Sequence, residues 1–374
     1  MKIGQYIQQQ AGFKAFIPDK FPPKDLVELD KQTIDLLSKA TLSLGRLDGI
    51  TELLPDLDFF IFMYVRKEAA LSSQIEGTRA TMADAIKAES EMPKDLPSDV
   101  DDIQHYIKAM NFGLKRLATL PLSKRLLREV HKVLLTDART DYPATPGEFR
   151  KSQNWIGGGS PATARFVPPP VHNMMEAMDD FEKFLYAKDE LPSIIKTGLA
   201  HAQFETIHPF LDGNGRTGRL MITFYLCQQN ILKQPVLYIS EYFKKHREAY
   251  FDLLESYHNR GEVLPWLKFF LEGVAVVSEE AIESSRKITE LREKDIKEVY
   301  SMGRSAKVGM TLLQNLFKLP IVTVRKVEEF TELSRPNANK LVNKFIKADI
   351  LVQADKTVEY GRSFVYKKYL NIFQ

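Results

Sequence analysis

Apolar residues recur at helical spacing along most of this chain, and this pattern constrains its fold more than any other feature. The spacing predicts helices over residues 59–76, 101–117, 122–135, 171–185, 192–207, 216–230, 245–258 and 278–300. Pro-rich stretches separate several of these segments, and Gly77 and Pro209 predict where two helices end. The sequence therefore predicts a mainly α-helical protein.

Bulk properties exclude several classes of protein. The 374 residues are 44% hydrophobic and 27% charged, which is typical of a soluble chain of two or three domains. The longest apolar run, 59–65, is far shorter than the roughly 20 residues that span a bilayer, and residues 1–13 lack the pattern of a signal peptide. The single cysteine, Cys227, excludes an internal disulfide. We expect a cytoplasmic protein that does not enter a membrane.

The last 71 residues differ from the rest in charge. Residues 304–374 contain 13 Lys and Arg against 6 Asp and Glu, a net charge of +7, whereas the whole chain carries +3. Two helices followed by short strands at 350–353 and 363–366 predict a winged helix-turn-helix of α+β type. Ser334 is expected to cap its second helix, which carries four basic residues, Arg335, Lys340, Lys344 and Lys347. DNA or another protein surface are equally open as its partner.

Residues 208–219 read HPFLDGNGRTGR and combine a turn with a basic helix. Gly213 and Gly215 allow positive φ angles that turn successive N–H groups toward one point. That point lies at the start of the next helix, where free N–H groups and the helix dipole favour an anion. Arg216 and Arg219 are three residues apart, so both can hold phosphate oxygens.

Two further side chains of this segment add chemistry to the anion site. Asp212 offers a hard oxygen ligand for a nucleotide-bound Mg²⁺. His208 ends the preceding helix and can accept a proton near neutral pH. A base, a metal ligand and a polyphosphate site within twelve residues suit the attack of a hydroxyl on a nucleotide phosphate.

The segment resembles the motif HPFxDGNGRxxR of the Fic family at every defined position. In that family the histidine deprotonates a Ser, Thr or Tyr hydroxyl of a target protein, which attacks the α-phosphate of ATP and releases pyrophosphate. The resemblance implies a Fic-type helical core, with His208 as base and Asp212 as the Mg²⁺ ligand. It assigns the ATP phosphates to Gly213, Asn214, Gly215, Arg216, Thr217, Gly218 and Arg219. The related phosphorylating group has a lysine-containing motif without the second arginine, so this sequence favours transfer of AMP.

Residues 72–77, SSQIEG, resemble the inhibitory motif (S/T)xxxE(G/N) of the same family. The resemblance implies that Ser72, Glu76 and Gly77, on an N-terminal helix, inhibit the enzyme. We call these three residues the brake. Glu76 would pair with Arg219 and prevent the γ-phosphate of ATP from binding there. The protein is then expected to modify a target, and itself, only when this brake is released.

Two other regions take roles from the resemblance. Residues 154–167 combine β-prone ends with a Gly/Ser/Pro centre, which predicts a β-hairpin. In the family this position holds a flap that binds the target by strand addition, here with Trp155, Ile156, Gly157 and Gly158. Tyr250 and Phe251 lie where the family places an aromatic ring against adenine.

The sequence predicts three regions: an N-terminal helical region at 1–112 with the inhibitory helix, a catalytic core at 113–275, and a linker helix with the winged helix at 276–374. Four questions stay open at this point. They are whether the chain is instead a DNA-binding regulator, whether it also removes AMP, whether it uses another nucleotide donor, and whether it forms a homodimer.

Overall fold

The computed structural model describes residues 3–22, 28–53, 57–90, 96–138, 145–188, 191–357 and 361–373. The predicted mainly α-helical fold is confirmed. The helices are α1 (Lys31–Leu53), α2 (Leu57–Ile75), α3 (Met82–Glu89), α4 (Val100–Leu117), α5 (Lys124–Leu135), α6 (Val171–Tyr186), α7 (Ser193–Ile207), α8 (Asn214–Gln228), α9 (Ser240–Lys245), α10 (Arg247–Arg260), α11 (Val263–Tyr300), α12 (Ala306–Lys318), α13 (Val324–Thr331), α14 (Arg335–Lys347) and α15 (Lys367–Leu370).

Most helices predicted from the sequence lie within two residues of the observed bounds. The exception is the linker helix, because α11 begins at Val263, fifteen residues before the predicted start. Its first half is largely buried and belongs to the core. Its apolar residues therefore do not show the one-sided spacing that predicts the other helices. Both predicted domain boundaries, 112/113 and 275/276, fall inside helices α4 and α11.

The N-terminal region opens with strands instead of a helix. Strand β1 (Gly4–Gln8) pairs antiparallel with β2 (Lys14–Pro18). Only the first residue of β1 is buried, so the strand lacks the alternating pattern that reveals a half-buried strand in a sequence. The Phe16 N–H donates to the carbonyl of Val167 at 2.9 Å, which places this hairpin against the predicted flap.

Helices α7 and α8 lie at the centre of the core. Thirteen of the fifteen residues of α7 are buried, and so are twelve of the fifteen in α8. A helix that is covered on all sides has little freedom to shift. Residues 208–213, the first half of the predicted motif, join α7 to α8 and are therefore held from both ends.

The C-terminal residues form a separate three-stranded sheet with helices on it. Strand β5 (Ser363–Val365) pairs antiparallel with both β3 (Ile321–Thr323) and β4 (Val352–Gln353). The two strands predicted for the wing therefore pair as expected. Ser334 precedes α14 as predicted, although its side chain makes no capping hydrogen bond.

None of the helices within the described ranges has both the length and the apolar character that crossing a membrane requires.

Candidate active site

A cleft of about 330 Å³ opens where α7 ends and α8 begins. Its walls also come from the end of α2, from α10 and from the segment 154–167. Nine of the residues singled out from the sequence line it: Glu76, Trp155, Ile156, Gly157, His208, Gly215, Arg219, Tyr250 and Phe251. Asp212, Arg216 and Gly158 are not among its lining residues. Four segments that are far apart in sequence thus meet at one concave surface.

The backbone of His208 is fixed by several contacts. His208 has a left-handed conformation with φ of 49° and closes α7, and the proline after it cannot continue the helix. Its carbonyl accepts from Arg150 Nε at 3.0 Å and from Asn154 Nδ2 at 3.1 Å. Sequence reasoning missed both donors, because nothing in their local sequence indicates a partner more than 50 residues away.

The ring of His208 is oriented with one nitrogen toward the helix. Nδ1 lies 3.3 Å from the carbonyl oxygen of Glu205. A carbonyl only accepts, so this contact assigns the proton to Nδ1 and leaves a lone pair on Nε2. Burial, assisted by the charge of Arg150, lowers the pKa of His208 to about 4. The imidazole is therefore neutral at pH 7 and able to accept a proton at Nε2.

The loop between His208 and α8 is braced from inside. The Asn214 side chain accepts from the Phe210 N–H at 2.8 Å and donates to the Phe210 carbonyl at 2.9 Å. The ring of His131 stacks on Phe210 with centroids 3.7 Å apart. His131 Nδ1 accepts from the Gly147 N–H, so its Nε2–H donates to the Asp212 carbonyl at 3.0 Å. The side chain of Asn214, predicted at the phosphates, thus supports the loop.

The motif glycines serve two different needs. Gly213 has φ of 75°, as predicted, and precedes the first residue of α8. The predicted positive φ of Gly215 is wrong, because Gly215 lies within the first turn of α8. A side chain there would collide with the carboxylate of Glu76, and one at Gly218 would collide with Glu205. These two glycines let carboxyl groups approach the helix, and Thr217 between them is fully buried.

Both motif arginines are already paired with carboxylates. Arg216 lies 3.7 Å from an oxygen of Asp102 and 3.8 Å from one of Asp212. Arg219, with only 1% of its side chain exposed, donates from Nη2 to Glu76 Oε1 at 2.7 Å. The two guanidinium groups therefore diverge toward different partners.

The end of α2 holds Arg219 from two positions. Arg219 donates from Nε to Ser72 Oγ at 2.8 Å and from Nη2 to the Ser72 carbonyl at 2.9 Å. Helix α2 ends at Ile75, and Gly77 follows with φ of 107°. Burial acts to raise the pKa of Glu76, but the charge and hydrogen bond of Arg219 outweigh it, so this pKa is lowered. Glu76 is therefore an anion at neutral pH.

A buried carboxyl group one turn before Ser72 anchors α2. Glu68 accepts from the Ser240 N–H at 3.1 Å and from Tyr106 Oη at 3.2 Å, and also from the Ser240 hydroxyl. Glu68, Ser72 and Glu76 follow one another at intervals of four residues. One face of this region is thus polar: Glu68 and Ser72 are buried, and Glu76 lines the cleft. Sequence reasoning noted this pattern only for Ser72 and Glu76.

The predicted flap is a loop closed by a single β-bridge. Ile156 and Phe166 bridge antiparallel, with N–H to carbonyl distances of 2.8 and 3.1 Å. No longer strand pairing forms among the described residues of 154–167. Gly158, with φ of 75°, packs against the backbone of residue 163, where a side chain would clash. Arg165 attaches the loop to α10 through Asp252 at 2.6 Å and through Glu255.

The two aromatic residues of α10 form one wall of the cleft. Tyr250 is 1% exposed, and its hydroxyl lies 2.8 Å from Nε2 of His201. Phe251 is partly buried beneath the guanidinium of Arg247 at 4.8 Å. Their contact with a nucleobase stays a prediction.

Asp212 is suited to a metal ion that a substrate helps to hold. Its side chain is 34% exposed, and one oxygen accepts from the Gly213 N–H at 2.6 Å. No group of three or more possible metal ligands occurs among the described residues. One carboxylate fits Mg²⁺, which commonly binds through one or two protein oxygens together with substrate phosphates and water.

Comparisons with known families cover about half of the chain. Residues 34–115 match the Fic/DOC family N-terminal region, and residues 121–226 match the Fic/DOC family domain. The chain therefore belongs to the Fic/DOC family. The candidate brake lies in the first match and the motif 208–219 in the second.

Curated relatives carry the name Protein adenylyltransferase Fic. The protein from Aedes aegypti is 33% identical over 175 residues, which are 46% of this chain and 31% of that protein. The protein from Drosophila grimshawi is 29% identical over 206 residues, 53% of this chain and 39% of that protein. This chain thus spans less than half the length of the curated relatives it matches.

Solved structures share the fold. A Fic family protein from Desulfovibrio desulfuricans G20 superimposes with a TM-score of 0.59 over 91% of this chain and 97% of that chain, at 17% identity. Residues 134–508 of Fic-1 from C. elegans superimpose with a TM-score of 0.50 over 68% of this chain and 73% of that chain, at 16% identity.

Proposed function

We propose that this protein transfers AMP from ATP to a Ser, Thr or Tyr hydroxyl of a target protein. The observation that carries the proposal is the cleft in which His208, Gly215 and Arg219 meet. The adenylyltransferase name of the curated relatives supports the same reaction.

His208 acts as the general base. Its Nε2 takes the proton of the target hydroxyl while the hydroxyl oxygen bonds to the α-phosphorus, and the bond from that phosphorus to pyrophosphate breaks. The free N–H groups at the start of α8 and the two arginines stabilise charge on the phosphates. Asp212 would hold Mg²⁺, which would neutralise phosphate charge.

Intact-mass spectrometry of the Glu76→Gly protein after exposure to ATP and Mg²⁺ tests this function. We expect an added mass of one or more AMP groups on the protein itself or on an added target. A mass increase of one phosphate, or none with a folded protein, contradicts it. Parallel samples with GTP, CTP and UTP test the alternative of another donor, because each would leave a different mass.

Glu76 is proposed to inhibit this reaction. Its carboxylate occupies the Arg219 guanidinium that would otherwise bind the γ-phosphate of ATP, and Ser72 holds the same guanidinium from the neighbouring turn. The same carboxylate could position a water molecule, so removal of AMP is the alternative activity of this site. Incubation of an AMP-modified target with the unmutated protein, with release of free AMP measured, distinguishes the two.

The segment around Trp155, Ile156, Gly157 and Gly158 is proposed to present the target. Arg165 and Phe166 hold this loop over the cleft, beside His208. An extended target segment would add to the backbone of the loop and place its hydroxyl near Nε2.

The C-terminal residues support a second candidate, binding of duplex DNA by a winged helix. Helix α14 contains no acidic residue, and its four basic residues are exposed. A titration of the full chain with a fluorescent duplex at several salt concentrations tests this, since phosphate contacts make affinity fall steeply with salt. Binding that does not respond to salt would favour a protein partner. The cytoplasmic location and a homodimer stay proposals.

A further inference from the structure

A second carboxyl group lies behind the proposed base. Glu205 is on the last turn of α7 and lines the cleft with 11% of its side chain exposed. Its Oε2 is 3.8 Å from Nδ1 of His208, the nitrogen that also contacts the Glu205 carbonyl. The carboxyl packs on α8 at Gly218, where any side chain would displace it.

This carboxyl group is incompletely paired. Glu205 Oε1 is buried without a hydrogen-bond partner among the described residues. A buried polar atom without a partner costs free energy, so it calls for a functional or structural reason. The residue has no part in the contacts that hold Arg219 to α2.

We propose that Glu205 is a positioning residue that acts through His208. The inference rests on the proposed AMP transfer. When Nε2 takes the hydroxyl proton, the ring becomes a cation, and Nδ1–H stays directed at Glu205. The carboxyl group then stabilises this cation from the side opposite the reacting atoms, while the new oxygen–phosphorus bond forms and pyrophosphate leaves.

The charge of Glu205 depends on its surroundings. Burial raises its pKa to about 8, Arg219 of α8 acts to lower it, and Glu76 acts to raise it. Two other titratable groups face this region, the buried His201 of α7 and Tyr250 of α10. Glu205 is therefore protonated at low pH and becomes a carboxylate beside His208 as the pH rises. In a protein without Glu76, this transition should occur at a lower pH.

The Glu76→Gly protein is the background for the kinetic test. Its rate of AMP transfer should rise about tenfold with pH between 6 and 9, because the neighbouring carboxylate makes His208 a stronger base. Glu205→Gln, which keeps the shape and removes the charge, should abolish this rise and lower kcat with little change in the KM for ATP. Glu248→Gln removes an exposed carboxylate of α10 and should change neither.

A measurement that does not need activity separates the two proposals. In ¹⁵N NMR spectra, comparison with His208→Ala assigns the signals of the two His208 nitrogens. Their chemical shifts should change between pH 6 and 9 in the protein that keeps Glu205, and should not change in Glu205→Gln. Identical shifts in both proteins overturn the role of Glu205. If these shifts differ but the Glu76→Gly protein transfers no AMP, the contact between Glu205 and His208 stands and the proposed function fails.

Discussion

The basic groups of the cleft and those of α14 differ in whether a carboxylate pairs with them. Arg216 and Arg219 are less than 10% exposed, and both lie beside carboxylates. Arg335, Lys340, Lys344 and Lys347 are exposed, and none pairs with a carboxylate in the part of the chain that the structure describes. An anion must displace a carboxylate from these arginines to bind in the cleft. Among the described residues, no carboxylate competes with an anion for the basic side chains of α14. This contrast supports the proposed inhibition of the first site, and it predicts salt-dependent binding at the second.

The largest effect is expected for the proposed general base, His208. His208→Ala in the Glu76→Gly background should lower AMP transfer about 10²- to 10⁴-fold, because it removes the nitrogen that takes the hydroxyl proton. Binding of ATP should change little, since the phosphate site is intact. Initial rates with labelled ATP, together with a binding titration, check both statements. Retained transfer would remove His208 from the base role.

Releasing the paired arginine should have the next largest effect. Glu76→Gly should raise AMP transfer about 5- to 150-fold, the usual range for coupling between two bound states. Glu76→Gln should give part of this increase, because it keeps the shape and weakens the ion pair. Ser72→Ala removes only one hydrogen bond and should give the smallest increase. Equal rates for all four folded proteins would show that the Arg219 contact is not a brake.

The sequence revealed the motif 208–219 because all of its residues lie in one turn and the first part of the helix that follows it. It also indicated α14, whose buried and exposed faces alternate with the helical period. Contacts between distant segments could not be predicted, because the local sequence does not indicate which distant residue a side chain will contact. His131 and Arg150 support the motif loop from 81 and 58 residues away in the chain, and β1 has a mostly exposed face that carries no periodic signal.

The cleft and the C-terminal residues should also differ in their response to acid. All seven histidines precede residue 259, and burial lowers the pKa of His201 to about 3. The folded state keeps this ring neutral, whereas the unfolded chain takes a proton below about 6.5. Above that pH His201 causes no loss of stability. Below it the free energy of unfolding falls, by about 2 kcal/mol for this residue at pH 5.

Chemical unfolding of the full chain at pH 7 and pH 5 measures this loss. His201→Gln should be less stable at pH 7, because it disturbs the contact with Tyr250, but should lose less between the two pH values. The exposed His172→Gln should behave like the unmutated protein. An unchanged loss in His201→Gln would contradict the pKa assignment.

The smallest effect is expected for the exposed lysines. The double substitution Lys340→Ala with Lys347→Ala should weaken duplex binding and reduce the slope of log affinity against log salt by about 2, one per lost phosphate contact. Lys115→Ala removes an exposed lysine of α4 and serves as the control. AMP transfer should be the same in both variants. An unchanged slope would exclude α14 as a DNA-binding surface.

Which phosphate of ATP reaches the protein is the most direct test of the account. The Glu76→Gly protein should be incubated with Mg²⁺ and ATP labelled at either the α- or the γ-phosphate. Transfer of AMP predicts protein-bound label from the α-labelled sample only, with the γ-label recovered in pyrophosphate. Protein-bound label from the γ-labelled sample would show phosphoryl transfer instead and contradict the central claim.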